Sequence, residues 1–356
     1  MIPYGRQSID EDDIAAVVDV LRSDWLTQGP AIDAFEADLI AATGAQYAVA
    51  FSNGTAALHG AMAAAGVGAG DRVATTPLSF AASANCARYV GADITFVDID
   101  PDTWNLRTAD IPVGLDALVA VHFAGLPIAM AQLANRPRVI IEDAAHAIGA
   151  LTPDGPVGNC AHSDMCCFSF HPVKTITTGE GGAVTTNDPQ LAERLRRFRS
   201  HGMVRSSDKP AWWYDIPEPG YNYRLTDLQA ALGSSQMRKL DRFVTRRNQL
   251  ADQYRELCRD LPIGLPPAAP VGSTHAYHLF AVRVADRDRV YTELRDAGIG
   301  TQVHYRPIYE HGAFQQPATD YPACAAIASE LLSLPLYPDL TDDDQAFVVD
   351  TLRKVL

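Results

Sequence analysis

The sequence predicts an α/β chain, with a mostly parallel central sheet covered by helices on both faces and a smaller α+β unit after it. Three observations carry this expectation. Short segments with largely apolar centres, such as "YAVAF" (47–51), "ALVAVHF" (117–123) and "RVIIED" (138–143), alternate with helical stretches, as strands buried on both faces do. At 356 residues the chain is long for a single core, so two units are expected, one of them small. Composition also shifts at a proline-rich break, "LPIGLPPAAP" (261–270).

The elements follow in order. Ser8 is the expected cap of a first helix, in which Ile14, Val17, Val18 and Leu21 recur at helical spacing. The loop "SDWLTQGP" leads to a second helix around 31–42, ending near Gly44. Strand "YAVAF" then precedes the small-residue helix "TAALHGAMAAAG", and strand "DRVATTP" precedes the helix "LSFAASANCARYVG". Further strands are expected at "DITFVDID", "ALVAVHF", "RVIIED", "SDMCCFSF" and "GGAVTTN". Asp188 and Pro189 supply a cap and a first-turn proline for "QLAERLRRFRSH", whose four arginines read as a solvated or interface face rather than a phosphate patch. After an irregular stretch (201–223) comes a helix rich in Ala and Gln from about 226. Past the proline-rich break the pattern gives strand "YHLFAVRV", helix "RDRVYTELRDAG", strand "IGTQVHY", helix "ACAAIASELL", and a last helix opened by Thr341 with Asp344 at capping-box spacing.

The totals limit the function. Hydrophobic content of 47%, charged content of 20% and a net charge of −14 describe a soluble globular protein, and argue against a nucleic-acid or anionic-membrane surface. No run of ~20 apolar residues is present to span a bilayer. The start, "MIPYGRQSIDEDD", lacks a basic region followed by an apolar one, so a cytoplasmic enzyme with six reduced cysteines is expected. A metal site built from His162, Cys166, Cys167 and His171 is disfavoured. On an extended strand the two histidines would stand roughly 30 Å apart at ~3.3 Å per residue.

Three segments carry chemistry. "SNGTAAL" (52–58) joins a buried strand to a helix, so the amides of Gly54 and Thr55 sit at a helix N-terminus. That is either an ordinary capped turn or a phosphate site. Asp143 ends an apolar strand, where ligands bind in open parallel sheets. It can cap the next helix or keep a ring nitrogen protonated, and His146, one turn on, faces the same crevice or the core. In "SFHPVKTITTGEGG" (169–182), Lys174 stands among Ser169, Thr177, Thr178 and three glycines. It is a loop lysine, or an amine whose partial burial lowers its pKa and makes it a nucleophile for a carbonyl. Taken together, a phosphate turn, an acid and an amine match the phosphate, pyridine nitrogen and aldehyde of pyridoxal 5′-phosphate (PLP).

The sequence resembles the DegT/DnrJ/EryC1/StrS family of sugar aminotransferases over nearly its whole length. The motifs that carry the resemblance are "LTQGP", "SNGTAAL", "PLSFAASAN", "EDAAHAIGA", "SFHPVKTITTGEGG", "GYNYRLTDLQAALG", "QVHYRPIY" and "LSLPLYPDLTDDD". It implies fold type I of the PLP-dependent transferases, the aspartate-aminotransferase type. An N-terminal segment and large PLP-binding domain would then occupy 1–240 and a small C-terminal domain 241–356. By the same resemblance Lys174 is the lysine that holds the cofactor covalently, Asp143 the partner of its ring nitrogen, and His146 the residue beside its 3-hydroxyl. Gly54, Thr55 and Ser169 match phosphate-binding positions, and Phe80 the aromatic that stacks on the ring. Asn222 matches an asparagine reaching the phosphate from the neighbouring subunit, which implies a homodimer with shared active sites.

Thr27, His171, His304 and Tyr305 fall at substrate-binding positions. Arg306 departs from the pattern, which has an apolar residue between that tyrosine and Pro307. Within the family the motifs are most similar to the branch acting on UDP-4-keto sugars, on the route to pseudaminic acid. The implied substrates are L-glutamate and a nucleotide sugar, namely a UDP-4-keto-6-deoxy-N-acetylhexosamine that becomes UDP-4-amino-4,6-dideoxy-N-acetyl-β-L-altrosamine. Another nucleotide 4-keto sugar (a UDP-4-keto-pentose, or a dTDP- or GDP-4-keto-6-deoxyhexose) is the alternative. Less favoured are a PLP-dependent sugar dehydratase, which by the resemblance would carry histidine in place of Lys174, and a non-catalytic PLP or nucleotide-sugar-binding regulator.

Overall fold

The chain begins with acidic caps. In the computed structural model, which describes residues 1–356, Asp10 and Asp13 accept each other's backbone amides and open helix α1 (Glu11–Leu21). Ser8, the expected cap, instead donates to Asp339 at 3.1 Å. The reciprocal pair satisfies two free amides where a lone serine would satisfy one. Helix α2 (Pro30–Thr43) starts on a proline, and the Asp227 carboxylate takes the amides of Gly29 and Ala31 at 2.9 and 3.1 Å.

Alternation of strand and helix then builds the sheet. In chain order come β1 (Tyr47–Phe51), α3 (Gly54–Ala64), β2 (Arg72–Thr75), α4 (Ala82–Tyr89), β3 (Asp93–Phe96), β4 (Ala117–Val121) and β5 (Val139–Asp143). A two-residue hairpin, β6 (Leu151–Thr152) and β7 (Gly155–Pro156), precedes β8 (Met165–Ser169), β9 (Gly182–Thr186) and α5 (Pro189–Arg199). The seven-stranded sheet has the order β1-β9-β8-β5-β4-β2-β3, and only β9 runs against the rest. Its side chains alternate between two cores. Val49, Met165, Cys167 and Val184 pack with α3 and α5, whereas Ala48, Ala50, Cys166 and Phe168 pack with Phe35 and Leu39 of α2. This is why the strands read as largely apolar.

Helices α6 (Asp227–Met237) and α7 (Leu240–Leu257) follow. Leu240, Phe243 and Val244 join the sheet's core, while Leu250, Ala251 and Tyr254 join a C-terminal one, so α7 belongs to both units. The C-terminal unit adds β10 (Phe280–Arg283), α8 (Arg287–Asp296), α9 (Pro322–Glu330), β11 (Leu331–Leu334) and α10 (Asp342–Val355). Two expectations need correction here. The helix read over "ACAAIASELL" stops at Glu330, and "LLSL" pairs with β10 as a strand. A short apolar run fits a buried strand as well as a helix, and the partner strand decides. "IGTQVHY" forms only isolated bridges, Ile299 with Ile2 and Gln302 with Ser333. No helix is long and apolar enough to cross a membrane.

Strand β1 lies at the sheet's edge and leads directly into the Gly54 turn. Its free backbone groups at Ala50 are satisfied by a pair of side chains. Glu36 of α2 accepts the Ala50 amide at 2.8 Å, Arg199 of α5 donates to the Ala50 carbonyl at 2.7 Å, and the two side chains pair at 2.6 Å. Edge strands left open invite foreign pairing, and this one is sealed from within. Replacing Glu36 with Ala leaves the Arg199 side chain, only 15% exposed, without a counter-ion. The expected cost is about 3 kcal/mol in urea denaturation, and a loss below about 0.5 kcal/mol would contradict this role.

Candidate active site

Strand register brings the chemistry to one edge. Phe51 and Ser169 are both paired with Gly182, so the turn after β1 and the end of β8 meet across β9. Asp143, at the end of β5, stands opposite Cys167 of β8 and Val121 of β4. A cavity of about 650 Å³ opens over these strand ends, the carboxyl edge where ligands bind in open α/β sheets. The C-terminal unit closes it with His278, His304 and Tyr305.

One end of the cavity is a helix terminus. Asn53 caps α3 by accepting the Ala56 amide at 2.8 Å, while the amides of Gly54 and Thr55 have no acceptor in the protein. They are free to bind an anion at the positive end of the helix. Ser169 crowds in so closely that a Cβ on Gly54 would meet its Cβ at 2.8 Å. Gly182 lies under the turn, where a Cβ would stand 2.5 Å from the Asn53 backbone and 2.7 Å from the Gly54 nitrogen. Glycine is required there by contact with main chain.

The middle of the cavity holds the acid and the amine. Asp143 is 5% exposed, and its carboxylate accepts from Ser83 Oγ at 2.6 Å and from the Ala145 amide at 3.2 Å. Ser83 is in turn bonded to Ser79 at 2.7 Å. Lys174 lines the same cavity. Burial pushes its ammonium down to about 8, and the opposite charge of Asp143 holds it from falling further. The amine is thus largely neutral in mildly basic solution and nucleophilic.

The far wall is aromatic and uncharged. Tyr305 Oη and His146 Nε2 are 3.1 Å apart, and the His146 ring stands 4.3 Å from that of His278. Burial holds His146 and His278 well below the ordinary histidine range, with the Lys174 charge adding to the effect, and pushes His304 down to about 3. All three are neutral near pH 7. Phe80 is 61% exposed at the mouth, 6.1 Å from the Tyr305 ring.

Of the residues expected from sequence, Gly54, Thr55, Phe80, Asp143, His146, Ser169, His171, Lys174, His304 and Tyr305 line this one cavity. Thr27 and Asn222 do not. Both are exposed, Thr27 bridged to Thr226 and Asn222 to Ser200. Arg306 also stays outside it and pairs with Glu310 at 2.9 Å. The sequence reading missed Tyr4, Ser79, Ser83, Glu180, Tyr223 and His278. Ser79 and Ser83 had a signal, since both lie in the quoted "PLSFAASAN" at a four-residue spacing.

The residues fit pyridoxal phosphate. Free helix-terminal amides suit its phosphate, a buried carboxylate its ring nitrogen, and a depressed amine its aldehyde. When bound, that cofactor supplies an electrophilic carbonyl and a sink for electrons. The model of the DegT/DnrJ/EryC1/StrS aminotransferase family matches residues 7–353. The spore coat polysaccharide biosynthesis protein SpsC of Bacillus subtilis (strain 168) is 35% identical over 100% of this chain and 97% of its own. The putative sugar aminotransferase Spr1654 of Streptococcus pneumoniae, in its PMP form, superposes with a TM-score of 0.94 at 28% identity, covering 100% and 99% of the two chains. Helicobacter pylori PseC, an aminotransferase involved in the biosynthesis of pseudoaminic acid, superposes at 0.91 with 29% identity over 99% and 98%. The motifs, the sheet and the shared cavity agree with these matches: the chain belongs to the DegT/DnrJ/EryC1/StrS aminotransferase family and is a PLP-dependent sugar aminotransferase.

Proposed function

We propose that the chain moves the amino group of L-glutamate to the C4 keto group of a UDP-4-keto-6-deoxy-N-acetylhexosamine, giving UDP-4-amino-4,6-dideoxy-N-acetyl-β-L-altrosamine. The observation that carries transfer is the depressed amine of Lys174 in the same cavity as the Asp143 carboxylate. The choice of sugar is supported by the motifs and by the likeness to PseC. The aminotransferase TlmJ of Streptoalloteichus hindustanus, at 31% identity, and S. venezuelae DesV, at 34%, are slightly closer in sequence than PseC at 29%. Another nucleotide 4-keto sugar is therefore the second reading. A panel of UDP-, dTDP- and GDP-4-keto sugars assayed with glutamate separates the two, since pocket contacts worth ~1–3 kcal/mol set such preferences.

In this reading Gly54, Thr55 and Ser169 bind the phosphate, and Asp143 keeps the ring nitrogen protonated. Lys174 would hold the cofactor covalently. As a free amine it would carry a proton between the donor's Cα and the cofactor in one half-reaction, and between the cofactor and C4 of the sugar in the other. Thr27 and Asn222 act from the partner subunit of a cytoplasmic homodimer. Trp25, Leu26 and Tyr221, which flank them in sequence and stand about half exposed, support such an interface.

Lys174→Ala is expected to lose at least about 10⁴-fold in turnover while remaining folded, and near-wild-type turnover would overturn the assignment. Asp143→Ala should still retain some cofactor through the phosphate but lose most of the rate, as absorbance and turnover measured on one sample would report. Only the neutral amine condenses with the aldehyde, so recombination of the cofactor-free protein with pyridoxal phosphate should accelerate as pH rises and level off above about 8. Stopped-flow absorbance checks this, and a rate still climbing steeply at pH 10 would place the amine in solvent.

A further inference from the structure

Asp143 is the last residue of β5, and its carbonyl takes a hydrogen bond from the His122 amide at 3.1 Å. Strand ends open more readily than strand centres, so a carboxylate that has to meet a ring nitrogen needs support beyond that bond. The support lies on the other face of the sheet. Successive strand residues point to opposite faces, and Glu142 is turned away from the cavity that Asp143 lines. Glu142 is buried, and its carboxylate accepts from His122 Nε2 at 2.7 Å and from the Ser163 hydroxyl. His122 is wholly buried, and its Nδ1 accepts the Ile128 amide at 3.0 Å. An imidazole that accepts at Nδ1 carries its single proton on Nε2, so His122 is a neutral donor to a charged carboxylate. An apolar pair of the same volume would be as stable or more so. What the polar pair adds is direction.

The same imidazole closes the loop that follows β4. Asn105, also buried, accepts the Phe123 amide at 2.8 Å and donates to the Leu126 carbonyl at 2.9 Å. The loop so fixed presents the carbonyls of Gly125 and Ala124 to the amides of Ala276 and Leu279, at 3.0 and 3.3 Å, on either side of His278. Gly125 has a φ of 101°, and a Cβ there would stand 2.7 Å from the His146 carbonyl oxygen. The loop is thus wedged between the segment that follows Asp143 and the segment that carries His278 of the cavity wall. We propose that His122 and Glu142 are positioning residues for the transfer, a buried clasp behind the sheet that aims the Asp143 carboxylate and sets the loop on which the His278 segment hangs. Neither lines the cavity. This rests on the transfer reading above, because it concerns what Asp143 meets.

The test compares the pyridoxal-phosphate-loaded protein with Glu142→Leu, Glu142→Gln and His122→Asn. Leucine removes both bonds made by the carboxylate. Glutamine keeps an oxygen for His122 Nε2 and offers its amide to Ser163, whose hydroxyl can turn to accept. Asparagine at 122 keeps an acceptor for Ile128 but is too short to reach Glu142. Two readouts are taken on folded protein, the absorption band of the bound cofactor before any substrate is added and the rate at which glutamate bleaches it. Glu142→Leu is expected to shift the band and slow bleaching on the order of 10²-fold, the cost of misplacing a reacting group by about 1 Å. His122→Asn shifts the band in the same direction and slows bleaching by at least about 10-fold, and it carries the test alone should Glu142→Leu not fold. Glu142→Gln keeps the wild-type band and bleaches at close to the wild-type rate. Variants that melt at lower temperature but, while folded, match wild type in band and rate would reduce the pair to packing and overturn the proposal. So would a Glu142→Gln protein as impaired as Glu142→Leu. A wild-type protein that glutamate does not bleach would overturn the transfer reading instead, and the band comparison, which needs no donor, still decides the clasp.

Discussion

The architecture is arranged around one amine and one carboxylate that must share a partly dry cavity without neutralising each other's roles. Lys174 has to give up its proton, which burial favours and the nearby Asp143 charge opposes. Asp143 has to keep its charge, which the Ser83 hydroxyl and the Ala145 amide stabilise. A deeper lysine would lose contact with the ligand, and a closer ion pair would keep it protonated. Its position on the loop between β8 and β9, rather than on a strand, places it at the carboxyl edge, where it lines the cavity.

The sheet supplies the precision. Asp143 and the Gly54 turn sit on strands or strand ends whose register is fixed by buried neighbours, and Gly182 permits main chain to approach main chain beneath the anion site. The C-terminal unit supplies the lid. Leu279 and Ala281 of that unit share an apolar core with Leu78, Phe96 and Phe123 of the larger one. The uncharged histidine and tyrosine wall is therefore held by packing between the two units. With His146, His278 and His304 neutral, Lys174 is the one lysine or arginine lining the cavity, so an anionic ligand is drawn to the amine and to the helix terminus.

Much of the site was legible because each group lies in a segment with a local signature. The Gly54 turn follows a buried strand, Asp143 ends one, and Lys174 is followed by the glycines of its own loop. Ser83 and His278 were not legible in role, since their meaning comes from register and packing with residues 60 and 132 positions away, Asp143 and His146 respectively. The pattern of "LLSL" was ambiguous until β10 gave it a partner. Thr27 and Asn222 carry motif signals, but one chain places them on its surface, outside the cavity.

Attachment at Lys174 can be measured directly. The chain has only four lysines, at 174, 209, 239 and 354, so borohydride reduction of the pyridoxal-phosphate-loaded protein followed by peptide mass mapping gives an unambiguous site. The account predicts a stable pyridoxyl adduct on the peptide containing Lys174 and on no other. An adduct on Lys209, Lys239 or Lys354 with Lys174 unmodified would contradict it.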